Sequence, residues 1–187
     1  SRCTPAYLKY ADIYKSANAG LAIEKLNQLK TLEPSNTAID KKLAEIYYLK
    51  NDFSKAADAY SRFAMGPTAN DILKYAFALF LNHDFEKSLE VANMGLKKNP
   101  RHAAFNRLAM YNNTDLKRFE EALKAADVFF NECDKADYSY LDYMYYGHLL
   151  EELKKYDEAV GQYEKAVELD PTKTDLYKNI SSAYEQK

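Results

Sequence analysis

The side chains able to do chemistry on their own are few and scattered. The three histidines stand at positions 83, 102 and 148. No His-x-x-x-His pair and no Cys-x-x-Cys pair occurs, so the spacing that holds a metal on one helix face or in one loop is missing. His83, between Asn82 and Asp84, reads as a solvated turn residue. The adjacent carboxylates Glu151 and Glu152 point apart on a helix and cannot share a proton or a ligand. There is no glycine-rich phosphate loop and no stripe of Lys and Arg interleaved with aromatics. The triplet Asn112-Asn113-Thr114 fits a glycosylation acceptor, but such triplets arise by chance and it is read as unmodified. Cys3 reads as an ordinary thiol, since Arg2 stands where a bacterial lipidation site wants a small residue. These residues imply no catalytic site, no metal and no cofactor.

Composition narrows the classes further. The 187 residues carry a net charge of −2, which gives no electrostatic reason to expect nucleic acid or an anionic membrane as partner. Hydrophobic residues make up 47%, enough for a sizeable core. There are 17 tyrosines and no tryptophan; Tyr packs its ring and keeps its hydroxyl at water, which suits a thin protein with much half-buried surface. Five glycines and five prolines are too few for a many-turned β fold. No apolar run is long enough to span a membrane. The chain opens with Ser1 in place of Met, which fits a piece of a longer or processed protein and leaves the compartment unread.

The elements that must position any site are helices in pairs. From Tyr140 to Pro171 two amphipathic segments are joined at Lys154-Lys155-Tyr156-Asp157. The first carries Tyr143, Tyr146, Gly147 and Leu150, the second Ala159, Tyr163 and Ala166, and Pro171 stops it. The same arrangement recurs upstream. Thr4 is a cap and Pro5 a first-turn residue for a helix with Tyr7, Tyr10, Ile13 and Tyr14 on one face, followed by Ala22, Leu26, Leu29 and a stop at Pro34. Leu43, Ala44 and Tyr47 precede Ala56, Tyr60 and Phe63. Ile72, Tyr75, Ala76 and Leu79 precede Ser88, Ala92 and Gly95. Asn106, Ala109 and Met110 precede Ala122, Ala126 and Phe129. The small residue early in each second helix (Ala22, Ala56, Ser88, Ala122, Ala159) recurs at spacings of 34, 32, 34 and 37. A last helix places Tyr177, Ile180 and Tyr184 on one face.

A period near 34 residues, two helices per unit and this order of large and small residues resemble the tetratricopeptide repeat. The resemblance covers almost the whole chain, as one array with repeats at about 3–36, 37–68, 69–102, 103–139 and 140–173 and a terminal helix at 174–187. It implies an all-α fold, a right-handed superhelical α-solenoid of antiparallel helix pairs in which each pair buries its apolar stripe against its neighbours. In such a stack Cys3 and Cys133 stand tens of ångströms apart, too far for a disulfide.

The resemblance also implies a function, binding a peptide or helix of a partner protein in a concave groove lined by the first helices. Carried over residue by residue, the groove is lined by Tyr7, Ala11 and Tyr14, then Lys41, Glu45 and Tyr48. Leu73, Phe77 and Phe80 follow, then Arg107, Tyr111 and Thr114, and finally Met144, His148 and Glu151. Leu73, Phe77 and Phe80 exceed what the core of their helix needs and are expected as an apolar patch at the centre of the contact. Tyr and Arg are frequent anchors of interfaces. Relatives that hold the acidic tail of heat-shock chaperones use Lys and Asn on the first helices. Here Lys41 fits, but Glu45 stands in the place of Asn, and Leu73, Ala104 and Leu108 supply no cation, which argues against that ligand. A structural spacer, a self-associating segment or an assembly factor of the bacterial envelope are the alternative readings.

Overall fold

The structure, a computed structural model, describes residues 4–63, 68–133 and 137–187, and the described residues form eleven α-helices. In chain order they are α1 (Thr4–Tyr14), α2 (Ala19–Leu32), α3 (Thr37–Leu49), α4 (Phe53–Arg62), α5 (Ala69–Leu81), α6 (Phe85–Lys98), α7 (Ala103–Asp115), α8 (Phe119–Asn131), α9 (Tyr140–Glu152), α10 (Tyr156–Leu169) and α11 (Asp175–Glu185). Cys3 lies outside the described residues, and with it the disulfide expectation.

Local chemistry sets the helix ends. The side chains of Asn18, Asn36, Asp52 and Thr68 accept hydrogen bonds from the first-turn amides of α2, α3, α4 and α5. At α9 the Asp142 carboxylate accepts from both the backbone N–H and the hydroxyl of Ser139, at 2.7 and 3.0 Å. Asp71 takes the Thr68 hydroxyl in the same way at 2.6 Å.

The turn inside each pair is equally regular. From one position of the first helix, small in three repeats and Met110 in the fourth, to the small residue of the second there are 12 positions in four repeats (Ala44–Ala56, Ala76–Ser88, Met110–Ala122, Gly147–Ala159). Seven positions after that first-helix position stand Asn51, His83, Lys117 and Lys154, all left-handed with φ of 58–60°. A single left-handed residue reverses the chain in three residues and forces neighbouring helices antiparallel.

The first repeat departs from this rule. Ala11 to Ala22 is 11 positions, and Asn18 has a φ of −151° in place of a left-handed residue. The register of α1 is therefore shifted by one from the expected one. Ala11, expected on the groove, is buried, whereas Ile13, expected in the apolar stripe, is 62% exposed. A similar shift holds at α11. Tyr177 and Tyr184 are more than half exposed, while Ile180 packs inward as expected, and the helix is seated by Leu176 and Ala183, where small Ala183 permits close approach to α10.

The described chain forms two compact units, Ser1–Asp84 and Phe85–Lys187, and the division falls between the helices of the third repeat. The first unit is centred on Leu26, Leu29, Ile39, Ile46, Tyr60 and Ile72, all essentially fully buried. The second is centred on Phe105, Leu108, Met110, Phe129, Leu149 and Tyr163. Two close approaches lie at glycines: a Cβ at Gly95 would lie 2.2 Å from the Phe105 ring, and one at Gly147 would lie 2.5 Å from the Tyr163 ring. Only glycine lets each ring lie against the helix backbone.

Candidate partner-binding surface

Within each unit the first helices of successive repeats stand side by side, joined by ion pairs. In the first unit Lys42 reaches back from α3 to Asp12 of α1 at 2.7 Å, and Lys74 reaches back from α5 to Glu45 of α3 at 3.5 Å. Lys42 and Lys74 hold the same repeat position, so Asp12 is the counterpart of Glu45. The surface positions of α1 are then Leu8, Asp12 and Lys15, one residue on from the expected Tyr7, Ala11 and Tyr14. Tyr7 instead shares a hollow with Ala6, Tyr10 and Lys25, and Tyr14 stacks on Tyr10 with centroids 4.3 Å apart.

The two cations expected on the groove are already engaged, in the same way in both units. Lys41 binds Asp71 of the next first helix at 2.7 Å and lies over the Phe63 ring at 5.3 Å. Arg107 binds Asp142 through two nitrogens, at 2.7 and 3.0 Å, and lies over the Phe129 ring at 5.1 Å. Burial pushes the Asp71 carboxyl up, but hydrogen bonds from Lys41 and Thr68 and the charge of Lys74 outweigh it and hold the group below the usual carboxylate range. Tyr111 is buried and donates to Asp142 Oδ1 at 2.6 Å, so it is part of the interior rather than an accessible wall. Lys41, Arg107 and Tyr111 thus fasten repeat to repeat. The Thr/Ser-x-x-Asp caps that supply Asp71 and Asp142 were visible in the sequence and could have located these pairs.

What remains accessible differs between the units. In the first, Lys15, Glu45, Tyr48, Leu49, Tyr60 and Lys74 line a cavity of about 280 Å³. Phe77 and Phe80 of α5 are half-buried, as is Leu73, so the apolar patch is narrower than expected. In the second, Thr114, Asp115, Lys117, Phe119, Met144, Tyr145, His148 and Glu152 line a cavity of about 370 Å³. His148 Nδ1 lies 3.1 Å from the Tyr163 hydroxyl, which donates to Glu151 at 2.7 Å. Burial lowers the His148 pKa, against the opposing charges of Glu151, Glu152 and Asp115. The Asn112 amide donates to Ser88 Oγ and to the Leu108 carbonyl inside the second unit, which leaves the glycosylation triplet inaccessible. Among the described residues no group of three or more His, Cys, Asp or Glu could hold a metal ion, and no helix is long and apolar enough to cross a membrane.

The family profile described as TPR repeat matches residues 147–187, the stretch that contains Gly147, the α9–α10 turn and α11. Residues 147–187 thus match the tetratricopeptide repeat. Solved structures of tetratricopeptide proteins share the chain's fold. One from Parabacteroides merdae is 17% identical over 100% of this chain and 74% of its own, with a TM-score of 0.78. YrrB, described as a TPR protein with an unusual peptide-binding site, is 15% identical over 91% of this chain and 87% of its own, with a TM-score of 0.73. The anaphase-promoting-complex assembly Cut9–Hcn1 is 14% identical over 95% of this chain and 35% of its own, with a TM-score of 0.69. Identities this low speak to fold alone. No curated protein sequence matches.

Proposed function

We propose that this chain is a non-catalytic scaffold that holds a peptide or helix of a partner protein on the surface formed by α1, α3 and α5, with Phe77 and Phe80 at the centre of the contact. The observation that supports this reading is the contrast in how the first-helix side chains are used. Lys41, Arg107 and Tyr111 are tied into repeat-to-repeat contacts, while Tyr48, Phe77 and Phe80 keep part of their rings at the surface, Tyr48 beside a cavity. Partly buried aromatics on a rigid element bind at low entropic cost, because their rotamers are already fixed. The YrrB likeness is in keeping with a peptide ligand.

The experiment is affinity capture with the wild type and with Phe77→Ala plus Phe80→Ala, with Phe77→Leu plus Phe80→Leu as the better-packed control. Loss of the captured partner from both variants, with helicity by circular dichroism retained in the Leu pair, is the expected result. Undiminished capture by both removes the proposal.

A further inference from the structure

We infer that the cavity lined by Lys15, Glu45, Tyr48, Leu49, Tyr60 and Lys74 is a subsite for a primary carboxamide, the Gln or Asn side chain of a bound partner peptide. The inference rests on the peptide-binding reading above and adds what that surface selects.

The first observation is an orphaned donor. Tyr60 is 1% exposed, and its hydroxyl has no hydrogen-bond partner. Leaving a buried hydroxyl unpaired destabilises the fold, because its lost water bonds are not replaced. Burial, and next the charge of Glu45, raise the Tyr60 pKa, so the group is present as O–H and donates. The same repeat position in α10 holds Tyr163, four residues after Ala159 as Tyr60 is four after Ala56. There the hydroxyl meets Glu151 and His148, from the positions that in α3 hold Tyr48 and Glu45. In the first unit Glu45 is instead drawn to lysines, its Oε1 3.5 Å from Lys74 and its Oε2 3.7 Å from Lys42.

The second observation is charge. Lys15 faces Asp12 at 3.7 Å, so each ion lining the cavity already has a counter-ion. A carboxylate entering the cavity would stand beside Glu45. An ammonium has no lone pair to accept the Tyr60 proton and would compete with Lys74. A carboxamide answers both groups at once, its oxygen accepting from Tyr60 and its NH₂ donating to Glu45. Both Glu45 contacts are at 3.5 Å or beyond, which leaves its lone pairs available. The Tyr48 ring and Leu49 supply flat and apolar walls for a planar head group on a short methylene stem, and about 280 Å³ is room for one such side chain. Lys15 and Lys74, long and unbranched, are the parts that move to admit it.

The test uses the whole 187-residue chain. Peptides are selected from a random displayed library, and the best one is measured against the wild type and Tyr60→Phe, alongside versions with the implicated residue changed to Leu, Glu and Ser. The expected result is one position fixed as Gln or Asn. Replacing it by Leu or Glu should weaken binding about tenfold, the worth of one to two neutral hydrogen bonds. Tyr60→Phe should weaken the parent peptide by a similar factor and erase the preference of Gln over Leu, with an unchanged or higher Tm. Equal affinity of wild type and Tyr60→Phe for the parent peptide overturns the inference. So does a preference for Ser or Glu at that position, or a Tm lowered by Tyr60→Phe, which would mean that Glu45 accepts the hydroxyl internally as Glu151 does for Tyr163. Peptides that depend on Phe77 and Phe80 but not on Tyr60 would sink this subsite and leave the binding surface standing. Failure to select any peptide would sink both.

Discussion

Tyr60 and Tyr163 fill the same place in their repeats, both fully buried, and differ in what meets the hydroxyl. In α10 the ring lies against Gly147 and the hydroxyl donates to Glu151, with His148 close by. In α4 the ring is packed as deeply, its centroid 6.0 Å from that of Tyr75, and the hydroxyl is left over. The repeat register fixes where a ring goes, because small and large residues must interlock between helices. It does not fix the polar end, whose partners come from first-helix positions that packing leaves open. The second unit closes on itself at this place, and the first keeps an unused donor beside a cavity.

The largest expected effect probes the ionic contact both units share. Arg107→Ala should destabilise the protein by about 3 kcal/mol, because Asp142 has no exposed side-chain surface and loses a two-point guanidinium partner. Lys41→Ala should cost about 1 kcal/mol, since Lys41 meets its carboxylate through a single nitrogen and Asp71 keeps the Thr68 hydroxyl. Urea unfolding of the two variants gives the comparison, and equal losses would show that the contacts are not graded by burial.

The tyrosine pair comes next. Tyr163→Phe leaves Glu151 and His148 without the hydroxyl and should cost about 1.5 kcal/mol, whereas Tyr60→Phe should be neutral or gain up to about 1 kcal/mol. Equal and negative changes for both would dissolve the contrast between the units.

The smallest effect is in pH. Burial next to Tyr163 and Asn179 depresses the His148 pKa, so the unfolded chain binds the proton more readily than the folded one. The contribution is complete above the ordinary histidine pKa near 6.5 and is lost as pH falls below it. Tm should therefore drop between pH 7.5 and 5.5, less steeply in His148→Gln. Glu151, Glu152 and Asp115 face the ring and favour its charged form, which keeps the effect small. An identical slope in the variant would assign the pH response elsewhere.

Much of the fold could be read before any coordinates. Ala44, Ala76, Gly147 and their second-helix counterparts keep a fixed offset, and only paired helices in a stack impose one. The reading failed where a single residue changed the phase. Ala11 stands 11 rather than 12 positions before Ala22, and with Tyr7, Tyr10 and Tyr14 nearby nothing in the tyrosine-rich sequence revealed the shift. It did not reveal that Arg107 and Tyr111 meet Asp142, because their types suit an interface equally well whether it lies inside the molecule or outside.

The sequence by itself determined the eleven helices, their pairing and the resemblance to the tetratricopeptide repeat, because periodicity and capping are local and repeat five times over. The tertiary structure alone decided which polar ends are satisfied. Lys41 meeting Asp71 and Arg107 meeting Asp142 depend on helices some thirty residues apart. The orphaned Tyr60 hydroxyl depends on Glu45 turning toward two lysines and away from it.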